Sequence, residues 1–180
     1  GKEVLAPTGF RELCKRSPFA CRDDAGGSRS VNLTDGGWIA LENYNQKLNS
    51  HIRYRTDWEA FGRSDYWVIA KRIGDCEDIA LAKRQALVRA GWPGNALWLA
   101  IGRDRDGMAH VVLVVRSNRG DLVLDNRNGR VSPWYQVDLK WLARQYPGDP
   151  PGRKHGENGA ILNLPLKERP HHGPYSLCYP

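Results

Sequence analysis

Apolar positions along the chain follow a helical period up to about residue 92 and a strand period after it. In "NLTDGGWIALENYNQKLNSHI", Trp38, Leu41, Tyr44 (or Asn45) and Leu48 recur at helical spacing, and Thr34 or Asp35 can cap the start. A second helix is predicted from near Asp75, in "CEDIALAKRQALVRAG", a stretch of good helix formers. Ile79, Ala82, Ala86 and Leu87 can face a core, and Gly91 followed by Pro93 supplies a stop. The segments "NALWLAIGR", "MAHVVLVVRS" and "GDLVLDNRN" are short and β-rich, with the turn signals "DRDG" and "SNRG" between them. They predict three consecutive antiparallel strands. "SPWYQVDLKWLARQYP" reads as a further strand or short helix, and "GAILNL" as a late strand.

Between the two helices, "RYRTDWEAFG" reads as an extended segment and turn whose aromatics form a hydrophobic shelf with "SDYWVIAKRIG". Residues 1–30 and 148–180 are rich in Gly, Pro and polar residues and read as largely irregular. With no internal repeat and no clear linker, residues 1–180 read as a single domain of the α+β class, a helix packed on an antiparallel sheet.

Composition narrows the function classes. The chain has 180 residues, 41% hydrophobic and 26% charged, as in ordinary globular proteins. No apolar run approaches the roughly 20 residues of a membrane helix, so the chain is not expected to span a membrane. The net charge of +7 raises the question of nucleic acid, but the basic residues are scattered and no nucleic-acid-binding motif accompanies them. No nucleic-acid partner is expected. The opening "GKEVLAP" has neither an initiator Met nor a signal peptide, which fits a presequence removed by processing or by design.

The four cysteines contain no C-x-x-C pair, which argues against a zinc site. Cys14 and Cys21 flank a Ser-Pro turn at a spacing that suits a small disulfide loop in an oxidising compartment. Cys178 lies in the tail "HHGPYSLCYP" and is expected to be unpaired, which leaves Cys76 without an obvious mate. A helix start favours a thiolate, yet Asp75, Glu77 and Asp78 oppose ionisation unless a cation neutralises them, they turn away, or they act as caps. His110 opens the predicted middle strand and Asp125 closes the next. Across a short turn the two fall side by side on one face, where a carboxylate would orient an imidazole. Each residue alone has a plainer reading: a packed cysteine, a hydrogen-bonded structural histidine, a turn aspartate.

The order of cysteine helix, histidine strand and aspartate strand, with the words "GDCEDIALAK", "AHVVLVV" and "LVLDN", resembles the transglutaminase-like, papain-related superfamily. Within it, the chain is most similar to the bacterial transglutaminase-like cysteine proteinases, over most of residues 8–140. The resemblance implies a papain/transglutaminase-like core with the nucleophile helix packed on the sheet. It implies a periplasmic cysteine endopeptidase that clips a large repeat-type surface adhesin in its N-terminal region, at paired small residues, and so controls biofilm attachment. By the same resemblance Cys76 is the nucleophile, His110 the base and Asp125 the orienting acid. Calcium is the implied cofactor, held by Asp75 and Glu77 with Asp78 as a further ligand, and it would neutralise the acids beside the thiol. An inhibitory receptor in the inner membrane is the implied regulatory partner.

Two rivals carry the same residues: a transglutaminase-type acyltransferase, in which an amine reaches the acyl-enzyme before water, and a catalytically inert protein-binding module of the same fold. The Cys76 backbone N–H is a candidate oxyanion donor, with Tyr66 or Trp67 as a second. Of the seven tryptophans, Trp98 and Trp134 are the candidates for lining a cleft.

Overall fold

The computed structural model describes residues 2–21, 27–145, 161–164 and 178, with backbone alone at 2–5 and 161–164. A five-stranded antiparallel sheet organises it, built from β4 (Leu97–Arg103), β5 (Ala109–Ser117), β6 (Gly120–Leu124), β7 (Ser132–Pro133) and β8 (Lys140–Arg144). The spatial order is β7-β6-β5-β4-β8. Strands β4 to β6 form the meander that the period-2 pattern predicts, with Leu99 opposite Leu113 and Leu113 opposite Leu124. The "further strand or short helix" resolves into both: β7, a single 3₁₀ turn at Trp134–Gln136, and β8.

Alternation divides the sheet into two apolar faces. Leu97, Leu99, Ile101, Val111, Leu113, Val115, Leu122 and Leu124 face the main core with Cys76, Ala80, Leu81 and Leu87. Trp98, Ala100, Val112, Val114 and Val123 form a second cluster on the other side. Each fully buried Leu or Val contributes about 1.5–3 kcal/mol relative to exposure, so the meander is anchored from both faces.

Helix α2 (Asp35–His51) starts where Thr34 Oγ1 accepts from the Gly37 N–H, at 3.1 Å, so Thr34 rather than Asp35 is the cap. Helix α4 (Cys76–Arg89) buries Ile79, Ala82 and Leu87 as the pattern predicts, while Ala86 stays half-buried. Gly91 follows the helix at φ 90°, a left-handed turn that glycine adopts without strain.

Two stretches depart from the sequence reading. Residues 1–30 are not mainly loop. They contain β1 (Lys2–Leu5), helix α1 (Thr8–Arg16) and a 3₁₀ turn at Pro18–Ala20. The apolar side of α1, with Phe10, Leu13 and Cys14, enters the main core, and the Phe10 ring meets Trp67 edge-on at 5.3 Å. The glycine and proline content hid a nine-residue helix between breakers. "RYRTDWEAFG" holds β2 (Arg53–Tyr54) and a short helix, α3 (Asp57–Phe61). The reciprocal Thr56–Glu59 capping box starts α3, and Gly62 at φ 64° ends it.

The predicted late strand is β9 (Ile161–Leu164), antiparallel to β1. The rest of the predicted irregular tail, apart from residue 178, lies outside the described residues. Among the described residues no helix is long and apolar enough to cross a membrane.

Candidate functional site

The site forms where two helix starts meet. Strand β2 pairs in parallel with β3 (Ile73–Gly74). The two chains therefore leave this small ladder in the same direction, one into α3 and the other into α4. Asp57, in the first turn of α3, arrives beside Asp75, Glu77 and Asp78 at the start of α4. All four carboxylates are buried. Asp57 is the acid that sequence reasoning missed. Its signal was the Thr56–Glu59 capping box, which marks a helix start at Asp57.

The cluster has far fewer donors than oxygens. Asp78 accepts from the Val68 N–H at 2.7 Å, and Asp57 accepts from the Tyr66 N–H. Among the described residues, both oxygens of Asp75, Oε1 of Glu77, Oδ2 of Asp78 and Oδ1 of Asp57 have no hydrogen-bond partner. Asp75 stands at the N-cap position without a side-chain capping bond of ordinary geometry. Unpaired buried carboxylates are costly. Burial, reinforced by the charge of Asp57, pushes Asp75 up to about 7. Burial and the neighbouring Asp75 charge push Asp78 up to about 9 and Glu77 well above the usual range. Burial also raises Asp57.

This donor set suits a hard divalent cation. One oxygen each from Asp57, Asp75 and Glu77 lies within 4.8 Å of the others. Calcium takes oxygen ligands at about 2.3–2.6 Å, so such oxygens can share one ion. Of the sequence-predicted acids, Asp75 and Glu77 fall in this group, with Asp57 added, while Asp78 lies beside it with Oδ1 held by the Val68 N–H.

Beside the acids, Cys76 is 1% exposed. Its Sγ accepts from the Val111 N–H at 3.1 Å, on the residue after His110. The second sequence-predicted group is also in contact: His110 Nε2 and Asp125 Oδ1 are 2.8 Å apart. With Asp125 as acceptor, Nε2 carries the proton, and Nδ1 has no partner among the described residues. Burial works against the Asp125 carboxylate. The His110 hydrogen bond and charge, the Arg127 N–H and the Lys83 charge outweigh it and hold the carboxyl below its ordinary value. Lys83, buried on α4, is itself pushed down to about 7 by burial.

Helix α2 fixes the loop that carries Asp125. Asn49 Nδ2 donates to the Asp125 carbonyl at 2.9 Å, and Asn45 Nδ2 donates to the Asn128 carbonyl at 2.7 Å. Asn45 is fully buried in a helix face that otherwise packs Leu41. A polar residue on an apolar stripe is the sequence signal for such a strut.

The structure also bears on the remaining expectations. The Tyr66 backbone N–H is given to Asp57 and so is not free for an oxyanion. The Trp67 indole N–H is likewise given to Asp65 Oδ1, at 2.7 Å. Trp98 and Trp134 do line a cavity of about 330 Å³ with Trp141 and Leu142, but Trp98 packs on the sheet face opposite the cluster that holds Cys76. Cys178 is not unpaired, and Cys76 is not without a mate: the two sulfurs are bonded. Cys178 is fully buried, and its Sγ also contacts Glu77 Oε2. Cys14 and Cys21 are disulfide-bonded, with their Cα atoms 5.5 Å apart, as their spacing suggested.

Among solved structures the fold is similar to Legionella pneumophila LapG, a transglutaminase-like fold. The calcium-bound form matches with a TM-score of 0.51 and 31% identity, over 59% of this chain and 63% of that one. A second LapG structure matches with a TM-score of 0.50 and 31% identity, over 59% of this chain and 62% of that one. An EGTA-treated form aligns over 79% of this chain and 83% of that one, at 22% identity and a TM-score of 0.50, which bears on the fold alone. The chain thus spans less than two thirds of the LapG chains it matches at 31% identity. No curated protein sequence matches it. The signature of the bacterial transglutaminase-like cysteine proteinases, BTLCP, matches residues 1–153, and the chain belongs to that family.

Proposed function

We propose that this protein is a calcium-dependent cysteine endopeptidase of the periplasm that cleaves the N-terminal region of a large repeat-type adhesin and so controls biofilm attachment. An inhibitory receptor in the inner membrane is its proposed regulatory partner. The observation that carries the reading is the 2.8 Å His110–Asp125 bond, one residue from the Val111 N–H that holds the Cys76 sulfur, in a chain of a cysteine proteinase family.

The reacting species is the reduced chain. The Cys76 sulfur attacks the scissile carbonyl, and His110 Nδ1 takes the thiol proton and gives it to the leaving amine. Asp125 accepts from Nε2–H throughout, which fixes the tautomer and stabilises the imidazolium. A thioester acyl-enzyme forms and water hydrolyses it. Asp57, Asp75, Glu77 and Asp78 are the residues that would hold calcium. When bound, the ion supplies positive charge that neutralises the acids flanking the thiol. That the similar LapG has been solved calcium-bound supports this assignment.

The test is cleavage of the N-terminal region of a large adhesin from the same genome by reduced protein, with calcium, with a chelator, and with Cys76→Ala. Calcium-dependent cleavage lost in the variant is the expected result. Cleavage retained by Cys76→Ala would end the proposal.

A further inference from the structure

We propose that Cys178 is a redox lock on Cys76: a disulfide between them closes the site, and thiol–disulfide exchange opens it. This inference rests on the reading of Cys76 as the nucleophile. The two sulfurs are bonded across a sequence separation of 102 residues, with Cα atoms 5.7 Å apart, inside the range that disulfides adopt.

The pairing is selective. Cys14 and Cys21 are joined to each other, so Cys178 is the partner left for Cys76. Both residues are buried, and the Cys178 Sγ occupies the side of the nucleophile that faces Glu77. A sulfur engaged in a disulfide has no thiol to ionise, so it cannot attack a carbonyl. One bond thus blocks the chemistry.

The exchange balances with a disulfide as oxidant and a thiol as reductant. On closing, one cysteine sulfur attacks the oxidant RS–SR and releases the first RS group as a thiol. The other cysteine sulfur then attacks the mixed disulfide and releases the second. The two cysteine thiols are oxidised, RS–SR is reduced to two RSH, and the two cysteine protons end on the leaving sulfurs. A dithiol reverses the sequence.

The experiment uses the full chain, oxidised with glutathione disulfide. Peptide mapping without reductant is expected to recover Cys76 linked to Cys178. Iodoacetamide labelling of Cys76 is expected to rise at least tenfold after dithiothreitol. Cys178→Ser should label without reductant, to the level of reduced wild type. The wild-type comparison stands alone if that variant fails to fold. Equal labelling of wild-type Cys76 before and after reduction would overturn the lock, as would Cys178 linked to Cys14 or Cys21.

Adhesin cleavage separates the lock from the protease reading. Equal cleavage by oxidised and reduced wild type removes the lock and keeps the protease. If Cys76 is linked in the oxidised protein and released by reductant, but Cys178→Ser cleaves nothing, the linkage stands and the protease reading falls.

Discussion

Asp125 accepts a hydrogen bond from His110 at 2.8 Å, across 15 positions of sequence. The carboxylate is fixed from behind as well: the Arg127 N–H reaches the same oxygen at 2.9 Å, and Asn49 holds the Asp125 carbonyl. The imidazole is thereby set in one tautomer before substrate arrives.

Asp125→Asn keeps the shape and loses that control. In the reduced protein, turnover is expected to fall by on the order of 10⁴-fold, as for a triad aspartate changed to asparagine elsewhere. Steady-state kinetics on the adhesin fragment, with folding checked by circular dichroism, decides the matter. Turnover near wild type would remove Asp125 from the mechanism.

The buried acids predict an unusual pH dependence for the calcium-free chain. Asp75, Glu77 and Asp78 have folded values raised above their unfolded ones. Their contribution is therefore complete below the unfolded value and is lost as pH rises toward the folded one. Between pH 5 and 7, stability should fall by about 1.4 kcal/mol per pH unit for each acid kept protonated. Asp125 acts in the opposite sense, but only at acid pH, where its contribution is lost as pH falls through its depressed value. Lys83 also acts oppositely, mainly above pH 7. Denaturant melts with chelator at pH 5, 6 and 7 measure the slope, and a flat or rising profile contradicts the raised acids.

Calcium should remove that penalty. At a hundredfold excess over Kd, bound calcium stabilises by about 2.7 kcal/mol. For a chain of this size that corresponds to roughly 5–10 °C in Tm. Calorimetry with and without calcium at pH 7 reads the shift directly, and its absence would leave the acid cluster without a cation.

Asp57→Asn separates the fourth acid from the three legible beside the cysteine. The amide keeps the oxygen that accepts from Tyr66 but lowers the charge available to the ion. Calcium affinity is expected to weaken about tenfold or more, within the range that changes around a metal site produce. Isothermal titration is the readout, and unchanged affinity would place Asp57 outside the ligand set.

Gly74 sits where β3 passes the start of α4, and a Cβ there would lie 2.6 Å from the Asp78 Cβ and 3.0 Å from the Ala70 Cβ. Gly74→Ala is expected to destabilise by about 1–3 kcal/mol and to weaken calcium binding by displacing Asp78. Wild-type stability and affinity together would show that the helix start can shift freely.

Much of this protein follows from its sequence, because local pattern dictates local structure. Period-2 runs bounded by turn residues set the β4–β6 meander, and the turn between β5 and β6 places His110 beside Asp125. Good helix formers and a Gly91 stop set α4 and put Cys76 at its start. The helices hidden among breakers, α1 and α3, were not legible by period, since nine and five residues are too few to display one.

What only the tertiary structure decided involves residues far apart in the chain. The parallel pairing of β2 with β3 brings Asp57 to Asp75, and no local rule specifies a ladder two residues long. Asn45 and Asn49 reach the Asp125 loop only because α2 packs over it. Cys178 meets Cys76 across 102 positions, and spacing along the chain carries no information about such a contact.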